Sequence, residues 1–335
     1  MVDASPLLLV FGSGDEVDQF GRSGSRMYVR GSSDLGRLIE NRDIIRRLLV
    51  SPEGGQVDFS PYPVIVNMIT EAENNAKVLE NLRRLLTGVR SRVINPPETV
   101  LRTTRGEVAA MLNGIPGLVV PKTVRLAGNH EAAAQTIRNG GINGPIIVRE
   151  AGTHTGKSVT LYETAEEAAS ALNAGQDYIA TQFHDFASSD GIYRKYRLFF
   201  IGDRMILRHM YASDHWNVHS SDRPRFMAPR PDIVAEERAL IERDEPFGPR
   251  ARAVFQAIRD RMPLDFFGLD FGFTLDGDVL LFEANATMSF FPFSNDPQFQ
   301  YLRRSLEPAQ AAFQDLVALG EGEEASAAQL PIGLA

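Results

Sequence analysis

The stretch GLDFGFTLDGDVLLFEANATM, residues 268–288, sets two apolar runs around Asp276-Gly277, the strongest short-range signal for a β-hairpin. A two-residue turn there pairs Leu275 with Asp278, and counting outward places Asp270 directly opposite Glu283. Side chains alternate along a strand, so Asn285 joins the face of the two acids while Leu269, Phe271, Phe273, Leu280 and Phe282 turn to the other. Gly268 and Gly272 fall on the acid face and are expected to leave it open. Two carboxylates about 4.5–5.5 Å apart across a strand pair destabilise it unless a cation lies between them. Mg2+ takes hard oxygen ligands and would relieve the repulsion, with Asp270, Glu283 and Asn285 as its protein ligands. Two alternatives are a protonated Asp270 and a three-residue turn that slides the acids onto opposite faces. Acids on opposite sides of the sheet, or either one locked in a structural ion pair, would remove the metal and with it the case for nucleotide chemistry that this hairpin makes.

The segment KYRLFFIGDRMILRHM, residues 195–210, mirrors this pattern in charge. A turn at Gly202-Asp203 pairs Ile201 with Arg204 and therefore Arg197 with Arg208. Lys195 shares their face, and three cations on one surface call for an anion with several oxygens, a phosphate chain or a substrate carboxylate. Arginines splayed into water are the bland reading. A third piece, PIIVREAGTHTGKSVTLYE at residues 145–163, reads as strand, glycine-containing loop and strand. Its backbone N–H groups would wrap phosphates as a flap, although an ordinary hairpin turn fits as well. It is not a Walker A loop, because Gly152 comes one place late and a strand follows Ser158.

The whole chain bounds these readings. Its 335 residues, 43% of them hydrophobic, suffice for a large core, and about 100–200 residues per domain suggests two or three domains. A net charge of −8 argues against a general nucleic-acid binder. The absence of cysteine excludes disulfides and thiolate metal sites and fits a reducing compartment. The early apolar run Leu7–Phe11 lacks a basic leader and is too short for a signal peptide or membrane span, so a soluble cytoplasmic protein without membrane partners is expected.

Along the chain, strands at Leu7–Phe11 and Val64–Met68 alternate with helical segments at Asp34–Leu49 and Glu71–Leu86, which describes an open α/β domain. Gly12-Ser-Gly14 invites a dinucleotide site and an oxidoreductase, but Val17 stands where the third glycine of GxGxxG belongs, so a plain strand-to-loop turn is preferred. VINPPETVLRTTRGEVAAML, residues 93–112, reads as a crossover in which Thr103 or Thr104 caps a helix ending at Leu112. Further strands and helices follow, with helices expected at His130–Arg138, Ala165–Asn173, Ile233–Arg243 and Arg250–Met262. The tail after Gly320 is small and acidic and is expected to be loose. In the polar loop Ser213–Arg230, Trp216 and Asn217 are candidate substrate contacts, and the margin from Gly12 to Gly24 with Arg30 is a second candidate for specificity. His215-x-x-x-His219 would hold zinc only if helical, which Pro224 and the serines oppose.

Taken in order, the α/β start, the glycine-loop flap, YIATQFHDF, the arginine hairpin and the Asp270 strand followed by Glu283-x-Asn285 resemble an ATP-grasp protein over residues 1–305. The likeness is to the glutathione synthetase and ribosomal-protein glutamate ligase type. It implies an α/β fold in which an N-terminal open domain (1–98) precedes two α+β subdomains (99–180 and 181–320) that clamp a nucleotide, with a flexible tail (321–335). It implies ATP and Mg2+ as cofactors, the metal held by Asp270, Glu283 and Asn285. Gln182, Phe183 and His184 would contact adenine, mostly through backbone groups. Arg149, in place of the family's usual lysine, would bind phosphate with Thr153, Gly156, Lys157 and Lys195. Arg197 and Arg208 would act on the transferred phosphoryl group. A second phosphate-binding lysine is expected early in the crossover helix, where this chain offers Arg102 and Arg105, and neither is preferred. The implied activity is ATP-dependent joining of a small-molecule or peptide carboxylate to an amine through an acyl phosphate. The alternative is a non-ligating ATP-binding regulatory or interaction module of the same fold. No general base is assigned, Asp190 and His209 being guesses, and a homo-oligomer is left open.

Overall fold

The structure, a computed structural model, describes residues 6–12, 17–19, 27–29, 35–127, 130–151 and 159–327. Its N-terminal sheet is parallel, in the spatial order Ile45–Val50, Leu7–Gly12, Val64–Asn67, Arg92–Ile94. Leu7–Gly12 is buried along its whole length, as a strand covered on both faces of a parallel sheet must be. The expected helix Asp34–Leu49 is not formed. Leu35–Leu38 and Arg42–Ile44 are short 3-10 turns, and Ile45–Val50 is the edge strand of this sheet. Ile45, Leu48 and Val50 pack against the core while Arg46, Arg47 and Leu49 face water, and pairing with Leu7–Gly12 overrides local helical appearance.

A middle antiparallel sheet has the order Thr160–Tyr162, Ile146–Glu150, Asp177–Gln182, Thr123–Ala127. Helices His130–Asn139 and Ala165–Ser170 cover it and enclose a separate core that includes Ile137, Ile146, Val148 and Ala180. The C-terminal sheet has five strands in the order Arg204–Ser213, Tyr193–Ile201, Phe266–Phe273, Val279–Asn285, Leu118–Val119. Stacked Phe200 and Phe267, tilted Phe199 and Phe266, and the fully buried Phe271 and Phe313 fill its core. Unlike the middle sheet, the first and last sheets share one continuous hydrophobic core.

A buried asparagine ties those two sheets together at their polar edge. Asn95, at φ 52°, donates its amide to the Phe266 carbonyl and accepts from the N–H groups of Asp265 and Phe266 through its side-chain oxygen. Its own N–H reaches Asp265, and Asn67 donates to its carbonyl. The left-handed conformation, tolerated by asparagine better than by most residues, lets one side chain meet three groups of another strand.

The last helix, Leu306–Ala327, extends seven residues beyond Gly320. The expected loose tail is therefore helical to Ala327, because its alanines and glutamates are strong helix formers. Residues 328–335 lie outside the described part, as do Ser13, Gly14, Arg30 and most of the Gly12–Gly24 margin. Among the described residues no helix is long and apolar enough to cross a membrane.

Candidate active site

Asp270 does pair with Glu283, and Gly268 with Asn285. The route to that register differs from the sequence reading. The turn has three residues, Leu275–Gly277, closed by Thr274 N–H to the Asp278 carbonyl (2.9 Å) and by Gly277, at φ 80°, to the Thr274 carbonyl. This is the longer turn that would separate the acids, but a β-bulge at Phe282 adds one residue back, so Phe271 meets Leu281 and Asp270 meets Glu283. Two departures cancel.

The longer turn re-aims Leu280 and the bulge re-aims Phe282. Leu280 and Phe282 do not join Leu269, Phe271 and Phe273 in the main core. They form a small cluster with Phe186 and Val218, flanked by Trp216 and Tyr211. Nor do the two glycines leave open space above them. A Cβ on Gly272 would stand 2.9 Å from the Phe282 ring and 3.0 Å from that of Phe186, and one on Gly268 would lie 2.6 Å from Met288 Cβ.

The neighbouring strand supplies what the acids need. Arg197 is register-paired with Asp270, and its guanidinium donates Nε and Nη2 to the two carboxylate oxygens at 2.7 and 2.8 Å. Burial pushes the Asp270 pKa up, but the charge and hydrogen bonds of Arg197 outweigh this and leave it below the ordinary value, so the acid is ionised. Glu283 receives Arg105 Nη2 on Oε1 at 2.5 Å. Asn285 Oδ1 accepts from the N–H groups of Thr287 and Met288, both at 3.0 Å. The donor set is of the hard oxygen type that suits Mg2+, yet Asp270 and the Asn285 oxygen are already engaged and Glu283 is paired. As arranged, these residues do not form a ready cation seat. The cation that the sequence argument demanded is arginine. Among the described residues no group of three or more His, Asp or Glu side chains is placed to hold a metal.

Arg105 is the first residue of helix Arg105–Leu112, whose start is fixed by a Thr104–Glu107 capping box. Of the two candidates, Arg105 lines the cleft and Arg102 is exposed outside it. Arg105, Glu283 and Asn285 line a cleft with Glu73, Arg149 and Phe282. Burial and the nearby charge of Arg105 lower the Arg149 pKa to about 10. Lys195 lies in the same field as Asp270, Arg197 and Glu283, and burial lowers its pKa.

Arg208 is not paired with Arg197. The second hairpin turns at Gly202-Asp203 as expected, but a bulge between Arg197 and Leu198 sets Arg197 against His209 and leaves Arg208 as the extra residue. Its buried guanidinium lies 3.9 Å over the Phe293 ring and donates to the carbonyls of Phe290 and Pro292. Arg208 therefore holds the segment after the acid strand rather than a substrate. The two bulges lie level across the sheet, because Arg197 and Asp270 join them, and bulges re-aim side chains in this way beside functional sites.

Gln182, Phe183 and His184 follow the Asp177–Gln182 strand at the foot of the middle sheet. The N–H groups of Gln182 and Phe183 already donate to the carbonyls of Lys122 and Pro145, so they are not available to a base edge. Burial lowers the His184 pKa. Phe183 meets Trp216 edge to face at 5.7 Å, which brings the polar loop against the small aromatic cluster. Phe282 lines the cleft and Phe186 packs on it, 4.8 Å between ring centroids, a placement that strand periodicity alone missed. Asp190 is held by Arg194, whose hydrogen bonds bring its pKa to about 2, and His209 is buried with its pKa well below normal, so neither suits a base for an amine. His215 and His219 lie in a loop and each Nδ1 accepts a backbone N–H of that loop, which does not make a zinc pair. Thr153, Gly156 and Lys157 lie outside the described residues.

Comparison with known proteins places this architecture. No protein-family model matches the sequence, and no curated protein does. Solved structures do match over nearly the whole chain. D-alanyl-alanine synthetase A from Vibrio cholerae aligns with 94% of this chain and 98% of its own at a TM-score of 0.53 and 12% identity. A RiPP-associated ATP-grasp ligase from Chryseobacterium gregarium, in complex with ADP and a leader and core peptide, aligns with 94% and 97% at 0.53 and 10% identity. A RimK domain ATP-grasp protein from Sphaerobacter thermophilus aligns with 93% and 98% at 0.50 and 17% identity. The chain therefore has the ATP-grasp fold.

Proposed function

We propose that the chain is an ATP-dependent carboxylate–amine ligase of the glutathione synthetase and ribosomal-protein glutamate ligase type, working in the cytoplasm. ATP would phosphorylate a small-molecule or peptide carboxylate, the amine would attack the acyl phosphate, and ADP and phosphate would leave. Residues 99–180 and 181–320 would clamp the nucleotide, with 1–98 contributing to the choice of substrate. The fold supports this reading, but one feature of the cleft carries it. Asp270 and Glu283 are already neutralised by Arg197 and Arg105, while among the described residues Arg149 and Lys195 are in no ion pair. Two cations outside any ion pair beside these neutralised acids, with Glu73 the further carboxylate near Arg149 and itself 3.7 Å from Arg125, favour an anion of several oxygens. Phosphoryl transfer asks the protein mainly for alignment and charge neutralisation, which these side chains offer.

The aromatic cluster of Phe186, Trp216 and Phe282 beside Phe183 offers the apolar contact a purine needs. Magnesium would accompany ATP, but with Asp270 chelated by Arg197 the phosphate charge falls first on arginine and lysine. Those arginine-paired acids are also the observation that favours the second reading, a nucleotide-binding module without ligase activity. Incubation with Mg-ATP and pooled carboxylates and amines, scored for ADP and phosphate, separates the two. Release that needs both an acid and an amine supports the ligase. Nucleotide-dependent change in Trp216 fluorescence without turnover in any pool supports the module, and no response to ATP in either assay removes both.

A further inference from the structure

We propose that Lys195 is a nucleophilic lysine and a site of acylation by acyl phosphates. The inference rests on the ligase reading for the source of the acyl phosphate and concerns a side chain of the same site. The chain has four lysines, Lys77, Lys122, Lys157 and Lys195, of which Lys157 lies outside the described residues. Lys77 is exposed on helix Ala76–Leu85, and the exposed Lys122 donates to the Gly141 carbonyl at 2.7 Å. Lys195 is held differently. It belongs to Tyr193–Ile201, an inner strand of the C-terminal sheet, two residues before Arg197 and so on the same face, opposite Tyr211 in register. Tyr211 in turn flanks the apolar cluster of Phe186, Val218 and Leu280. The Lys195 ammonium is partly buried and has no hydrogen-bond or ion-pair partner among the described residues.

The acids near Lys195 are already taken. Asp270 is held by Arg197, Glu283 by Arg105 and Asp222 by Arg225. Burial lowers the Lys195 pKa, Asp270 opposes the fall, Arg197 adds to it, and Glu283 and Asp222 oppose it. His209 on the same face is kept neutral by its own burial and adds no charge. A lysine desolvated without a counter-ion of its own keeps a larger share of free amine near neutral pH, and the amine is the form that attacks an acyl carbon. In the step, the lysine nitrogen bonds to the carbonyl carbon of the acyl phosphate and the bond from that carbon to the phosphate oxygen breaks. Inorganic phosphate leaves with the electron pair, and the proton shed by nitrogen passes to water. The product is an amide without charge. One of the two unpaired cations of the site is thereby lost, so an acyl phosphate not met by its amine would shut the site that made it.

Acetyl phosphate added to the nucleotide-free, full-length protein, with acetylation mapped by peptide mass spectrometry, tests this directly. At pH 7.5 Lys195 is expected to be acetylated at least five-fold faster than Lys77 and Lys122. The excess should shrink at pH 10, where exposed lysines also carry a large share of free amine, and it should vanish in the urea-unfolded chain, where the four lysines are equivalent. Acetylation of Lys195 no faster than that of Lys77 and Lys122, an excess unchanged at pH 10, or an excess that persists in urea would each overturn the proposal. The unsubstituted protein is used throughout, so no variant has to fold. Because the acyl phosphate is supplied ready-made, neither ATP nor turnover enters the measurement. An unreactive Lys195 leaves the ligase assay untouched, and a silent ligase assay leaves the reactivity of Lys195 to be read on its own.

Discussion

Arg197 and Asp270 stand opposite each other on adjacent antiparallel strands and are joined through both carboxylate oxygens. This places a cation beside the acid pair before any ligand arrives. The pair is nearly dry, with Asp270 5% exposed, and removing one partner of such a bridge leaves a buried charge without compensation.

Arg197→Ala is accordingly expected to cost about 3–5 kcal/mol of folding stability. Equilibrium urea unfolding measures it. A loss below about 1 kcal/mol, the range of exposed pairs, would show that the bridge is not structural and would return Arg197 to the ligand-binding residues alone.

The same pair sets an acid limit. Asp270 has a folded-state pKa below its ordinary 3.8, burial being outweighed by Arg197. A depressed folded value means that the contribution is complete above the unfolded pKa and is lost as pH falls through the folded one. Melting temperature should therefore fall below about pH 4, and the gap between wild type and Asp270→Asn should narrow over that interval. A gap that stays constant from pH 6 to pH 2 would contradict the assignment.

Gly268→Ala tests how closely the strand and the following segment pack. The added Cβ would lie 2.6 Å from Met288 Cβ and 2.7 Å from its sulfur. An overpacking cost of about 1–3 kcal/mol is expected. Met288→Ala in the Gly268→Ala background should recover only part of it, because the Cβ contact remains. Full recovery would mean that the sulfur alone caused the strain.

Asn95→Ala removes three side-chain hydrogen bonds and leaves the N–H groups of Asp265 and Phe266 without their acceptor. Buried groups left unpaired cost about 1–3 kcal/mol each and are not additive, so a loss of about 3 kcal/mol is expected by chemical denaturation. Hydrogen exchange at Asp265 and Phe266 should accelerate together. Unchanged protection there would show that the two sheets do not depend on this contact.

The amphipathic and capped elements were legible before any coordinates. Leu7–Phe11 and Val64–Met68 read as buried strands, Thr104 as one of two candidate caps, and the helices ending near Arg243 and Met262 fell within a few residues of Pro231–Ile241 and Pro249–Arg261. Legibility failed where a partner outside the local window decides. Ile45–Val50 looks helical until Leu7–Gly12 lies beside it. In the candidate site, the facing of Asp270 and Glu283 was readable from the hairpin, but Arg197 reaches Asp270 through a third strand, and hairpin counting within one segment carries no information about that neighbour. The fate of Arg208 depended on a bulge, which follows from packing against Phe290 and Phe293 and has no signature in strand periodicity.

Because the longer turn at Leu275–Gly277 and the extra residue at Phe282 offset each other, this hairpin obeys a parity rule. Deleting one residue from the turn, or flattening the strand at Phe282, would swing one carboxylate to the far side of the sheet, while making both edits would leave the two acids facing. Length changes in this part of the chain are thus tolerated in pairs, and a sequence related to this one would be expected to carry both irregularities or neither.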